Sequence, residues 1–165
     1  MVTAFLGLGS NLGDRLAWLQ SGRDRLAATP GIVIEGCSAL YETAAEGAPP
    51  GSPAFLNAVL KVRTTLAPRQ LLERCLAIEA DLGRTRAEPN APRTLDIDLL
   101  LYGEAVIDEP GLEVPHPRLT ERVFVLVPLA ELAATLQHPQ LHRPLAELAA
   151  SLPATAALTP LCGAW

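Results

Sequence analysis

The elements read along this chain run strand, helix, strand, strand, helix, strand, with one long Pro/Gly-rich loop before the third strand and a second loop before the fourth. That order predicts an α+β fold: a ferredoxin-like antiparallel sheet, with helices packed on one face and two long loops over the other. The prediction rests on the alternation that starts at Leu95, on two helical stripes, and on loops placed where lids tend to be found.

Residues 3–8 read as a short apolar strand, followed by the glycine-rich turn GLGSNLGD. The glycine spacing fits neither G-x-G-x-x-G nor a P-loop, which also requires a lysine. The segment is therefore a tight strand-to-helix turn, with Ser10, Asn11 or Asp14 capping the next helix. That helix runs to about Ala28 with Leu12, Leu16, Leu19 and Leu26 at helical spacing, and Pro30-Gly31 stops it. Residues 32–42 form the second strand, rich in β-branched residues at its start. Residues 44–54, AAEGAPPGSPA, make a loop that is long for a simple connection.

The third strand, residues 55–65, turns Phe55, Asn57, Val59, Lys61 and Arg63 to one face and Leu56, Ala58, Leu60 and Val62 to the other. Pro68 opens the second helix and Gly83 closes it. Leu71, Cys75, Ile78 and Leu82 form its apolar stripe, and Glu79 sits at the edge of that face. A second loop, residues 84–92, leads into the fourth strand. Beyond it lie a short strand at 112–114, the turn Pro115-His116-Pro117, and a helix over 119–133 interrupted near Pro128. A last helix spans 145–152. His138 and His142 are four apart, but Pro139 and Pro144 break any helix that would align them on zinc, so they belong to a loop.

The fourth strand, within PRTLDIDLLLYG, carries the chemistry. Alternation puts Leu95, Ile97, Leu99 and Leu101 on one face and Asp96, Asp98, Leu100 and Tyr102 on the other, the helices packing on the first. Two carboxylates about 7 Å apart on an apolar strand oppose each other's ionisation. A divalent cation removes that conflict, and Mg²⁺ commonly takes one or two protein carboxylates plus substrate phosphates. Arg84, Arg86 and Arg93 stand close by in sequence as phosphate-binding groups.

Composition bounds the alternatives. The chain has 165 residues, 49% of them hydrophobic, which suits one domain over 1–165 with a proper core. A net charge of −5 supplies no basic field for nucleic acid, so phosphate must be held locally by a few arginines. Three cysteines without a C-x-x-C pair read as thiols of a reducing compartment. The start of the chain has no basic leader, and no apolar run reaches the length of a membrane span. A cytoplasmic protein that touches no membrane is expected.

GLGSNLGDR, YET with its Gly/Pro loop and FLNAV, PRTLDIDLLLYG, and VPHPRLTERVFVLVPLAEL follow one another in order over roughly residues 4–134. Together they resemble the 6-hydroxymethyl-7,8-dihydropterin pyrophosphokinase family of the folate pathway. The resemblance implies transfer of pyrophosphate from ATP to the pterin hydroxymethyl group with release of AMP. It implies two Mg²⁺ ions on Asp96 and Asp98, phosphate contacts from Arg84 and Arg93, and Glu79, His116 and Arg122 around the nucleotide. It implies a pterin slot between Phe55 and Phe124 with Asn57 at its polar edge and backbone groups near Thr43 and Glu46 completing it. A monomer is expected.

One segment departs from the family pattern: Pro89-Asn90-Ala91-Pro92-Arg93 stands where many members read R-W-G-P-R. The metal pair and Arg93 are untouched, but the lid lacks its aromatic residue. Ala44-Ala45-Glu46 likewise stands where proline and an apolar residue are common. Two rival readings use the same residues. A D-x-D nucleotide or sugar-nucleotide transferase is disfavoured by the short chain without a Rossmann fingerprint. A silenced ligand-binding relative is disfavoured by the retention of Asp96, Asp98, Asn57 and Arg93.

Overall fold

The computed structural model describes residues 1–43, 51, 53–83, 94–152, 159–161 and 165. Strand β1 (Val2–Ser10) is flanked on both sides, and the other elements are built outward from it. Helix α1 (Arg15–Ala27) leads to β2 (Ile32–Cys37), β3 (Leu40–Thr43) and β4 (Phe55–Thr64), and α2 (Pro68–Asp81) leads to β5 (Asp96–Tyr102). β1 pairs antiparallel with β4 on one side and β5 on the other. β2 and β3 share the far edge of β4. β6 (Ile107–Glu109) and β7 (Leu112–Val114) form a separate hairpin. Helices α3 (Val123–Leu132) and α4 (Leu145–Ala150) follow, and β8 (Thr159–Leu161) returns to pair antiparallel with β3.

The sheet separates two apolar clusters. On one face Leu19 and Leu26 of α1 and Leu71, Cys75 and Ile78 of α2 pack on Leu6, Leu8, Leu60, Ile97 and Leu99. On the other, Val125, Leu126 and Leu129 of α3 and Leu145 and Leu148 of α4 pack on Phe5, Val59, Leu100 and Leu101. The first two helices therefore share a face as the sequence predicts, whereas α3 and α4 cover the opposite one. The reason is physical: the second face also carries large apolar side chains, and these need a covering layer. The two segments expected to lie over that face, 44–54 and 84–92, fall largely outside the described residues.

Several local expectations are corrected. GLGS is not a turn: Gly7 and Gly9 are strand residues of β1. α1 starts only at Arg15, with the Asp14 carboxylate accepting the Ala17 N–H at 3.1 Å. The later start rotates Leu12 and Leu16 to the surface, 45% and 38% exposed, and gives a buried position to Gly22. The expected strand over 32–42 breaks at Ser38–Ala39, because side chains take over backbone partners there. Ser38 Oγ accepts the Val59 N–H at 2.8 Å, and the Ala39 N–H donates to Glu131 Oε2 at 2.8 Å.

In β5 the alternation fails at Leu100. The pairing with β1 slips between Phe5 and Leu6, so Leu100 is an extra residue that bulges. Leu101 consequently joins the α3/α4 cluster and Tyr102 turns to the other, where its hydroxyl donates to the Leu66 carbonyl at 2.6 Å. α3 begins four residues later than expected, after turns closed on the Arg118 carbonyl, and α4 ends at Ala150 rather than 152. His138 is a loop residue, as expected. Its Nδ1 accepts the N–H groups of Gln140 and Leu141, and among the described residues no three metal-ligating side chains converge.

Candidate active site

β5 is the sheet's edge, and its outer side is held by side-chain and loop contacts rather than by another strand. The Glu79 carboxylate, on α2 and only 1% exposed, accepts the Ile97 N–H at 2.7 Å, between the two aspartates. The His116 N–H donates to the Leu100 carbonyl at 3.0 Å. These contacts fix the backbone from which Asp96 and Asp98 project, half-buried, on the face opposite Ile97 and Leu99. Glu79 was expected at the edge of a buried face; it lies inside, and its carboxylate is a buried backbone acceptor.

Asp96, Asp98, Glu79, His116 and Arg122 all line one cleft of about 440 Å³. His116 comes from the turn after β7, and Arg122 from the position that starts α3. The His116 Nδ1 accepts the Arg118 N–H at 3.2 Å, which leaves Nε2 to carry the ring proton. Burial lowers the His116 pKa from its usual 6.5, the Arg122 charge lowers it further, Asp96 opposes this and Arg118 adds to it. The ring is thus neutral near pH 7 and offers a hydrogen-bond donor. Cys75, buried beneath the site, is pushed up to about 12 by burial and by the charges of Glu79 and Asp98. It stays a thiol and supplies neither a nucleophile nor a metal ligand.

The strand register extends the site across the sheet. Gly9 of β1 faces Asn57 on β4 and Asp96 on β5, and Gly7 faces Val59 and Asp98. Neighbouring strands lie about 4.8 Å apart, so Asn57 and Asp96 are separated by roughly 10 Å with only Gly9 between them. A Cβ on Gly9 would come within 2.9 Å of Asn57 Oδ1 and 3.5 Å of Phe55 Cδ1, so the glycine keeps a trough open. Asn57 is 6% exposed and its Nδ2 donates to Thr43 Oγ1 at 2.8 Å. Phe124, in the first turn of α3, is packed against the cluster on this face, with the Arg122 guanidinium 5.6 Å from its ring centre.

The structure thus gathers Glu79, Asp96, Asp98, His116 and Arg122 at one cleft, and Thr43, Phe55 and Asn57 at one corner of the same sheet. Arg84, Arg93 and Glu46 lie outside the described residues, as do Arg86 and Asn90. The role of Gly9 escaped sequence reasoning, which took GLGS for a turn. The signal was present as two glycines alternating on one face of an apolar strand.

The carboxylate pair suits Mg²⁺. Two half-buried carboxylates share one strand face beside a cleft, with no third acidic or imidazole ligand converging among the described residues. That leaves coordination positions for phosphate oxygens and water, as Mg²⁺ prefers.

Comparison with known proteins gives a consistent result. The model of the family described as 7,8-dihydro-6-hydroxymethylpterin-pyrophosphokinase matches residues 5–134. A 2-amino-4-hydroxy-6-hydroxymethyldihydropteridine pyrophosphokinase of Methylorubrum extorquens is 48% identical over 140 residues, covering 82% of this chain and 85% of that protein. Its namesake from Pseudomonas aeruginosa is 42% identical over 149 residues, covering 90% and 91%. Among solved structures, wild-type HPPK-DHPS of Plasmodium falciparum superposes with a TM-score of 0.70 over 90% of this chain at 15% identity. This chain spans 44% of that longer one, and the likeness speaks to the fold. The chain belongs to the 7,8-dihydro-6-hydroxymethylpterin-pyrophosphokinase family.

Proposed function

We propose that this protein transfers pyrophosphate from ATP to the hydroxymethyl group of 6-hydroxymethyl-7,8-dihydropterin, releasing AMP, a reading supported by its relatives' names as pyrophosphokinases of that pterin. The observation that carries the assignment to particular residues is the row Asn57–Gly9–Asp96. It sets a hydrogen-bonding corner and a carboxylate pair on one sheet face, about 10 Å apart across a glycine floor. In the reaction the pterin hydroxyl oxygen bonds to the β-phosphorus and releases its proton to solvent, the bond from that phosphorus to the α,β-bridging oxygen breaks, and AMP carries that bridging oxygen away.

Asp96 and Asp98 hold two Mg²⁺ ions, which supply charge neutralisation and a template for the triphosphate. His116, neutral and carrying its proton on Nε2, donates a hydrogen bond to the nucleotide, and Arg122 supplies a fixed positive charge beside it. Arg84 and Arg93 contact phosphates. Asn57 and Thr43 pair with the pterin edge while Phe55 and Phe124 close on its faces, and backbone near Glu46 completes that edge. Glu79 works indirectly, through the Ile97 N–H it accepts.

The frame is read as ferredoxin-like, supported by the strand order β5-β1-β4 with β2 and β3 beyond β4 and β8 outside β3, and the segments 44–54 and 84–92 as loops over the Asp face. The protein is further read as one domain acting as a cytoplasmic monomer. No described helix is long and apolar enough to cross a membrane. Incubation with ATP, Mg²⁺ and the hydroxymethyl-dihydropterin, followed by nucleotide chromatography, tests the function. AMP should form in step with pyrophosphorylated pterin; ADP, or no pterin-dependent AMP, would count against it.

A further inference from the structure

We propose that Arg15 is a positioning residue for the pterin slot, a staple joining the two strands that carry it; this rests on the pterin assignment above. Arg15 is the first residue of α1, and its guanidinium reaches the end of the β3–β4 pair. One terminal nitrogen lies 2.7 Å from Glu42 Oε2, and the other donates to the Ala54 carbonyl at 2.9 Å. Glu42 immediately precedes Thr43, and Ala54 immediately precedes Phe55. Thr43 and Phe55 are themselves the last register partners of the pair. A single planar group therefore ties together both chain segments just where the slot begins.

Asn11, 1% exposed, supports the same segment by donating from Nδ2 to the Pro53 carbonyl at 3.3 Å. Inside the staple, Asn57 donates to Thr43 Oγ1 at 2.8 Å. Thr43, Phe55 and Asn57 thus stand on backbone braced by Asn11 and by the first residue of α1. Strand ends fray when their last pair is unsupported. A frayed end would let Thr43 drift from Asn57 and misplace the hydrogen-bonding corner. The forked shape of arginine matters, because a carboxylate and a carbonyl on different segments must be met at once. The lysine ammonium is a point charge on a flexible stem and holds such a pair less firmly.

An ion pair with a carboxylate 44% exposed is worth little alone. The effect comes from the backbone carbonyl that the same guanidinium holds. Arg15 does not line the cleft of Asp96 and Asp98, so the nucleotide side should not feel its loss.

The test compares Arg15→Ala, Arg15→Lys and Glu42→Gln with the unaltered protein. It measures KM for pterin and for ATP separately, pterin Kd with Mg²⁺ and a non-hydrolysable ATP analogue present, and hydrogen exchange at the amides of residues 54–57. Arg15→Ala should raise pterin KM and Kd about tenfold, the loss expected for a charge-assisted pair of hydrogen bonds. ATP KM should stay unchanged and exchange should quicken at those amides. Arg15→Lys, which keeps charge and stem, should fall between, and it serves if the alanine protein folds poorly. Glu42→Gln keeps an acceptor and should shift pterin KM least. Equal losses for both substrates, or unchanged pterin affinity in both Arg15 variants, overturn the staple. Absence of pterin-dependent AMP from the unaltered protein overturns instead the function on which it rests.

Discussion

Asp98 faces Gly7 and, beyond it, Val59, and it shares its strand face and cleft with Asp96 as one half of the proposed metal pair. Asp98→Ala should therefore abolish AMP formation, by about a thousandfold or more if several kcal/mol of metal-assisted stabilisation is lost. The fold should survive and gain slightly as Asp96 loses a like-charged neighbour. AMP chromatography and a urea melt read the two effects, and near-normal turnover at saturating Mg²⁺ would refute the metal role. His138 gives a pH prediction. Burial, then the nearby His142 charge, lower its pKa from 6.5, so the unfolded chain takes up the proton first. Stability is then fully present above about 6.5 and falls as pH drops from there toward the lowered folded value. His138→Asn, whose side-chain oxygen can accept from the same N–H groups, should flatten that slope in melts at pH 7 and pH 5. His116, shifted in the same direction, retains its share. An unchanged slope would exclude His138 as a source. Residue types were legible where chemistry and period coincide, as in Asp96 and Asp98. The burial of Glu79 was not, because its partner is the Ile97 N–H, brought to it by tertiary packing.

Among the elements, α1 shows two opposed effects of known size meeting at one residue. Gly22 is buried, and a Cβ there would lie 2.7 Å from Leu95 Cδ2, a side chain with no exposure of its own. Gly22→Ala gains about 0.5–1 kcal/mol in helix propensity. It also overpacks the helix–sheet contact, at a cost of about 1–3 kcal/mol. The second effect should win, with a net loss on the order of 1 kcal/mol in urea unfolding; a more stable variant would show that α1 lifts off the sheet freely. The same close approach explains why the helix was easy to read and its buried stripe was not. Periodicity sees leucines, and here a glycine holds one of the contact positions. The break between β2 and β3 was unreadable for a different reason. It is made by Glu131, 92 residues away from Ala39, which replaces a strand partner with a carboxylate. The bulge at Leu100 hides within three consecutive leucines, where alternation carries no phase.

Taken whole, the molecule is closed by a segment beyond residue 134, where the family match ends. β8 pairs with β3, and Trp165 donates from Nε1 to the Ser38 carbonyl at 2.9 Å, with the Arg23 guanidinium 5.4 Å from its ring centre. The tail thus braces the strand that carries Thr43. Trp165→Ala should cost about 1–2 kcal/mol, the sum of a hydrogen bond and a cation–π contact. For a chain of this size that lowers the thermal midpoint by about 2–8 °C. A melt settles it, and an unchanged midpoint would mean the ring adds nothing to closure. An antiparallel sheet carrying helices was legible in the sequence pattern, but the return of the tail was not, since its Ala/Leu/Pro composition has no period. The opposite edge has a consequence of its own. An uncovered strand as apolar as β5 is a template on which another copy of the chain can add and aggregate. Here the Glu79 carboxylate occupies the Ile97 N–H and the His116 N–H occupies the Leu100 carbonyl. The contacts that aim the two aspartates therefore also protect the protein's solubility, and a change that loosens the site should expose a sticky edge as well.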